Sequence, residues 1–477
     1  MVNDQGTNQP PGESFNKVPL LIVLISGAFV AILNQTLLAT ALPHIMEDLD
    51  LNANTAQWLQ SIFMLVNGIM IPITAFLIER FTTRGLFLTA MGVFALGTVI
   101  CAIAPNFGFL MVGRVAQAAG AGIIMPLMQT ILFLIFPLEK RGAAMGMFGL
   151  IIAFAPAIGP TLSGWLVEHF PWRSLFYVIL PIVIIDIIVA YFILKNITKQ
   201  TFPKLDVLSI ILSTLGFGGL LFGFSTAGNS GWGSVQVIVS MIVGAVALVW
   251  FIRRQLKLEK PILEFRIFKY KIFTLTTILG MVVFVAMIGG AVILPLLMQT
   301  MLGFTAFESG LMLLPGALLM GIMNPITGRI FDKFGARWLA IIGLTILVIT
   351  TFMFTNLDAQ TTFLYLSVVN VFRMIGVAMV MMPVTTAGLN QLPSNLIPHG
   401  TAMNNTMRQV SGAVGTALLV TVMTTTAMPE QGVDGMIHGV NVSFVVAGIT
   451  AIIGLVLSFF LKGSRPEGEG KKIKIGS

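Results

Sequence analysis

Charge is what this chain has least of. Only 10% of its 477 residues are Asp, Glu, Lys or Arg, while 56% are hydrophobic; a soluble protein carries about 25% charged residues. No soluble fold of this size could hide so much apolar surface, so lipid is the solvent for most of the chain. Cysteine is nearly missing: a lone Cys101, inside an apolar run, excludes an intrachain disulfide. The four histidines (His44, His169, His399 and His438) stand far apart near the ends of apolar runs, so no metal site is expected. No Gly-rich loop ending in Gly-Lys-Ser/Thr occurs, which disfavours ATP as an energy source. No acid pair, and no histidine with a carboxylate, gathers at one interface as a membrane-embedded acyl or glycosyl transferase would need. An enzyme is therefore a remote alternative. The formal charge of +8 is scattered between apolar runs, not collected on one polar face, so nucleic acid is not an expected partner.

What the chain does have is apolar length. A helix needs about 20 apolar residues to cross the hydrocarbon core. Runs of that length predict fourteen spans, near 18–42, 54–78, 85–104, 107–135, 142–167, 173–194, 205–226, 234–252, 272–298, 306–328, 337–355, 361–384, 400–426 and 440–461. The first run is too long for a signal-peptide core and has no small-residue cleavage site before a polar domain, so it is expected to be retained. Segments 1–17 and 462–477 read as disordered tails. With both termini in the cytoplasm, nearly all lysines and arginines fall inside, while Glu47, Asp48, Asp50, Glu168, Glu308, Asp358, Glu430 and Asp434 fall outside. The longest inside segment, 253–271, carries Arg253, Arg254, Lys257 and Lys260. It is expected to be a solvated stop-transfer flank rather than a regulatory site for anionic lipid.

Two stretches, 72–84 and 325–337, say nearly the same thing 253 residues apart: each runs off an apolar helix, turns through an acid and a base, and enters another apolar helix. Such a repeat implies two homologous halves, and in a membrane chain it points to a transporter with its site between them; a channel is disfavoured on the same ground. The acid can cap a neighbouring helix N-terminus and pair with a nearby arginine. The second copy has Gly328, Asp332, Lys333, Gly335 and Arg337; the first has Ala75, Glu79, Arg80, Thr82 and Arg84, with both glycines relaxed and the acid lengthened. The first copy is therefore expected to be the looser latch.

These stretches resemble the loop motif of the major facilitator superfamily. Arg114 to Pro126, in the fourth span, resembles that family's Arg-x-x-Gln-Gly-x-Gly pattern. Gly159, Pro160 and Gly164, in the fifth, resemble its antiporter motif, with Ser163 in place of one glycine. Polar stretches at 31–38 and 401–409 add to the resemblance, which runs from Pro19 to Leu461 and is nearest to the fourteen-helix drug:proton antiporter branch and its LmrB-type lincomycin-resistance exporters. The resemblance implies an all-α integral membrane protein with the major facilitator fold. Six-helix bundles would span 18–194 and 272–461, with two inserted helices over 205–252 and a basic loop over 253–271. It implies a multi-pass bacterial cytoplasmic-membrane protein, monomeric, exporting amphipathic cationic or neutral hydrophobic drugs. A proton gradient would be its energy source, and no bound cofactor is implied. A transporter for a specific metabolite or lipid-like molecule is the alternative.

Ionisable groups inside a membrane are functional candidates by default. Arg114 and Gln117 share a helix face, as do Asn404 and Arg408, while Arg373 lies mid-span. Each could line a pathway or serve a structural polar network. An arginine does not release a proton at working pH. Where the exporter branch commonly has an acid in a Leu-Asp-x-Thr pattern, this chain has Leu33, Asn34, Gln35 and Thr36. Asp186 is the carboxylate well inside a span and the candidate proton carrier; it could instead neutralise an interior arginine. Trp58, Met125 and Gln299 are further candidate lining residues. The cytoplasmic gate is expected to involve Glu79, Arg80 and Arg84 in one half and Gly328, Asp332, Lys333, Gly335 and Arg337 in the other.

Overall fold

The computed structural model describes residues 17–198, 200–203 and 205–461; the expected tails before Lys17 and after Leu461, and Lys199 and Lys204, lie outside the described residues. The described chain is all helical, without a β-strand. Its long helices are α1 (Lys17–Asp48), α2 (Ala53–Arg80), α3 (Thr83–Ala102), α4 (Phe107–Ile135), α5 (Arg141–His169), α6 (Ser174–Ile193) and α7 (Val207–Ser230). They continue with α8 (Val235–Lys257), α9 (Lys271–Leu296), α10 (Ala306–Phe334), α11 (Ala336–Met353), α12 (Phe363–Leu389), α13 (Ile397–Thr426) and α14 (Gly432–Ser458). Each coincides with an apolar run. Side-chain caps begin several of them: Asn52 accepts from the Thr55 amide, Asn106 from Phe109, and Thr305 and Glu308 close a reciprocal box on α10.

Thirteen of these helices are long and apolar enough to cross a membrane. The exception is α13, whose first half carries His399, Thr401, Asn404, Asn405, Thr406 and Arg408, all buried. A polar helix can cross at membrane depth when protein surrounds it, and α13 packs against α2, α4, α7, α9 and α14. By contrast, α8 turns Val235, Ile238, Ile242, Val246 and Val249 outward at helical spacing, a lipid-facing stripe.

The internal repeat is visible in the packing. Gly120 of α4 lies against Ala90 and Phe94 of α3; Gly376 of α12 lies against Gly343 and Leu347 of α11. The α3 partners recur 253 residues on, as the loop copies do. The two turns themselves are built differently. Gly335 adopts φ 77°, a left-handed conformation that ends α10 and starts α11 at once. Thr82 instead takes an extended conformation and caps α3 by accepting from the Gly85 amide.

In the inserted pair, α7 packs on both α2 and α13, and α8 packs on α7. Asp206 and Arg254 clamp the pair at 2.8 Å, and hydrogen bonding from Arg254, then from Ser209, holds the Asp206 carboxyl below its ordinary range. A depressed folded value means the clamp's contribution is complete above the ordinary carboxylate range and fades as pH falls through the lower folded value. Asp206→Asn should therefore melt earlier than the parent at pH 7 in detergent, and the gap should begin to narrow only below about pH 4. The loop after α8 is not the solvated flank expected for 253–271: Ile262, Leu263 and Ile267 are buried, and Gln255 accepts from the Ile262 amide at 2.7 Å.

Candidate functional site

Hydrogen bonds that join helices of the two halves gather toward one end of the bundle, the end that carries Arg80, Lys140, Arg254, Lys260, Lys333 and Arg337 and is here called the basic end. α2 packs along α13 and α5 along α10, with α4 on α13 and α5 on α12. α1 and α9 find their main partners inside their own halves.

Asp332, near the end of α10, accepts from the amide of Gly142 at 2.8 Å and from that of Ala143 at 2.9 Å. Both oxygens thus cap the N-terminus of α5 in the opposite half, where orphan amides and the helix dipole favour an anion. The approach is possible because Gly142 and Gly328 face each other without side chains. Glu79, the other copy of the acid, is one methylene longer and does not cap a helix; its Oε1 lies 3.0 Å from Nε2 of His399 in α13. The amide of Glu264 reaches Nδ1 of the same ring at 3.3 Å. The two acids thus differ in their partners: Asp332 holds backbone amides of α5, Glu79 a histidine side chain of α13.

The expected acid–arginine pairing is absent. No ion pair among the described residues joins Glu79 or Asp332 to Arg80, Arg84, Lys333 or Arg337. Arg80 donates to the Pro203 carbonyl at 2.8 Å, Arg84 lies over the Tyr191 ring, Arg337 lies over Trp338, and Lys333 is exposed. Above the latches, Gln129 accepts from Asn405 at 2.7 Å and Thr130 meets Thr401 at 2.8 Å, both across the halves.

Deeper in, the structure gathers Asn34, Arg114 and Gln117. Arg114 donates from Nη1 to Gln117 at 3.0 Å and from Nε to the Leu59 carbonyl at 3.1 Å, with its guanidinium over the Phe63 ring. Gln117 in turn donates to Asn34 at 3.4 Å and Thr98 at 2.9 Å. On the other side, Asn404 accepts from Thr277 at 3.1 Å, Arg408 donates to Thr385, and Arg373 donates to the Ala286 carbonyl. Thr36 packs on Gly159, joining α1 to α5, and half-buried Pro160 lies inside α5. Gly164 makes no such approach, since a Cβ there would meet no atom within 4 Å.

The remaining candidates lie elsewhere. Asp186 meets no arginine; it accepts from Ser26 across the α1–α6 contact, and its second oxygen is buried without a partner. Trp58 stacks on Phe222 of the inserted α7. Met125 is half-buried beside the core, and Gln299 is exposed in a π-helical turn beyond α9. A groove of about 780 Å³ between α2, α7 and α8, lined by Leu65, Ile69, Gly218 and Val239, is open and apolar, has no arginine in its lining, and suits lipid rather than chemistry.

Sequence reasoning missed His399, Gly142, Gln129 and Asn370. His399 was visible only as a histidine at a span end, and its partner Glu79 is 320 positions away.

Comparison with known proteins agrees with the geometry. The family model described as Major Facilitator Superfamily matches residues 24–416. The chain is 57% identical to an uncharacterized MFS-type transporter, YcnB, of Bacillus subtilis strain 168, over 94% of this chain and 96% of that protein. It is 44% identical to the lincomycin resistance protein LmrB of Listeria monocytogenes, over 95% of this chain and 98% of that one. Among solved structures, the human organic anion transporter MFSD10 superposes with a TM-score of 0.69 at 14% identity, covering 94% of this chain and all of that one; that likeness shows the fold alone.

Proposed function

The chain belongs to the major facilitator superfamily, and on that premise we propose that this multi-pass membrane transporter is a multidrug exporter working by alternating access and driven by proton influx. The observation that carries the reading is the double cap of α5 by Asp332, which closes one end of the seam with a few separable bonds. The positive-inside asymmetry supports placing the basic end in the cytoplasm, with all fourteen long helices crossing and both termini inside. The closed basic end then corresponds to a carrier shut toward the cytoplasm. Opening requires Asp332 to leave the α5 amides and His399 to leave Glu79 while the outer ends of the halves approach.

The 44% identity to a lincomycin resistance protein supports amphipathic antibiotics as substrates. The membrane interior offers Asp186 as a proton-exchanging group, because Asn34 cannot ionise. The test is drug accumulation in everted vesicles: lincomycin should enter when a proton gradient is imposed and leave when it is collapsed. Accumulation that ignores the gradient would contradict proton drive, and no movement of lincomycin or of a panel of amphipathic drugs would contradict the exporter reading.

The latch has its own expectation. Asp332→Asn keeps one acceptor oxygen and loses one charge-assisted bond, about 1.5–3 kcal/mol. Transport should slow on the order of tenfold while drug binding stays within about threefold. Lost binding in a folded variant would assign Asp332 to the substrate instead.

A further inference from the structure

The two halves treat their buried arginines unequally. In the first, Arg114 donates from Nη1 to the Gln117 amide oxygen and from Nε to the Leu59 carbonyl and lies over the Phe63 ring, so that its Nη2 alone has no hydrogen-bond partner. In the second, Arg373 is fully buried and has one recorded acceptor, the Ala286 carbonyl; its Nε and Nη1 have no partner. Asn370, one turn earlier on the same face of α12 and 1% exposed, has partners for neither its Nδ2 nor its Oδ1. Three donors, two of them on a permanent cation, and one acceptor, Asn370 Oδ1, are thus buried on this face of α12 without partners. None of the ion pairs recorded among the described residues reaches Arg373, and Asp186 sits on α6 in the opposite half. A buried guanidinium cannot shed its charge, and buried charges are normally paired. The neighbouring helices are cut back to receive these groups: a Cβ on Gly290 of α9 would overlap the guanidinium, and one on Gly316 of α10 would lie 2.8 Å from Asn370 Nδ2.

We propose that Arg373 and Asn370, framed by Gly290 and Gly316, form a receptor for one small anionic group, either the carboxylate of an amphipathic substrate or a halide ion. The proposal rests on the exporter reading and refines it: the carrier accepts amphiphiles with an anionic head. Planar guanidinium donors suit a carboxylate, and the Asn370 amide, one turn away on the same helix face, supplies a further donor. If the anion is a halide, it serves as a fixed counter-charge and the head of the drug need not be anionic.

The test uses the full chain in proteoliposomes, with radiolabelled decanoate, decyltrimethylammonium of the same chain length, and sodium chloride as probes. Decanoate should bind, and Arg373→Gln should weaken it by at least about tenfold, the effect of losing a charge-assisted bond. Asn370→Ala should weaken it less, and binding of the matched cation should not fall in either variant. If chloride alone raises the melting temperature of the parent, competes with decanoate, and does neither in Arg373→Gln, the site stands with a halide as its natural occupant. Should decanoate and chloride both act equally on the parent and on a folded Arg373→Gln, the proposal is wrong. Since Arg373→Gln could fail to fold, Asn370→Ala is scored separately: unchanged decanoate and chloride binding there also overturns the receptor. Lincomycin accumulation in the same vesicles separates the two readings, for export without anion binding leaves the exporter intact and removes only the receptor.

Discussion

Gly328→Leu is expected to abolish export while leaving the protein folded and able to bind drug. Gly328 and Gly142 bring α10 and α5 together backbone to backbone; even a Cβ on Gly328 would overlap the Gly142 carbonyl oxygen and lie 2.8 Å from its carbon. A leucine must push the helices apart. The separation removes both amides from Asp332, and each of those bonds is charge-assisted, worth about 1.5–3 kcal/mol. The state closed at the basic end then loses several kcal/mol, which shifts its population by roughly a hundredfold or more. Transport should fall by a similar factor, because a carrier that cannot close one gate cannot cycle. Gly328→Ala should fall between the parent and Gly328→Leu. Vesicle transport and equilibrium drug binding are the two readouts. Normal transport by Gly328→Leu would show that this contact is not a gate.

Asp186→Asn carries the second large effect. The variant keeps an acceptor for Ser26 and the shape of the side chain, so the α1–α6 contact should survive. It cannot exchange a proton. Drug accumulation driven by a pH gradient should drop to the level seen without one, a loss of at least about tenfold, while downhill drug exchange continues. Drug-driven proton flux in liposomes measures the coupling directly. If Asp186→Asn couples normally, another group carries the proton. The location of Asp186 makes the result informative, because it lies between α1 and α6 and not beside Arg114. Coupling from there has to pass through a shift of α1, the helix that also holds Asn34 and Thr36.

How much of this was legible in the sequence depends on the kind of force involved. Apolar length marked all the long helices, α13 included, because its polar residues are interleaved with Met, Ala, Val and Leu. Spacing within one helix marked Arg114 with Gln117, which the structure joins at 3.0 Å. The loop copies marked both acids, Asp332 and Glu79, which one methylene separates, as candidates for contact at a helix end. Contacts set by tertiary packing were not legible. The acids were expected both to cap a helix N-terminus and to pair with an arginine; Asp332 does the first, on two α5 amides, Glu79 meets a histidine, and neither meets an arginine among the described residues. The arginines, whose long stems reach outward, settled on the Pro203 carbonyl and on the rings of Tyr191 and Trp338. Gly164 matched a motif without making a close helix contact, whereas Gly142, which matched none, meets the Gly328 backbone of α10 directly. The loop 253–271 looked solvated from its charges, but its apolar residues Ile262, Leu263 and Ile267 decided its burial.

The central claim is that the halves rock about the middle of the bundle, with Asp332 holding the basic end shut. Spin labels on Lys140→Cys and Lys333→Cys report that end, and labels on Glu168→Cys and Phe307→Cys report the other; all four positions are exposed, and the native Cys101 is buried. Electron–electron distance measurements in lipid nanodiscs, with and without Asp332→Asn, read both. The account predicts that Asp332→Asn populates a state in which the Lys140–Lys333 distance lengthens while the Glu168–Phe307 distance shortens. Distances that stay put, or that lengthen together at both ends, would contradict it.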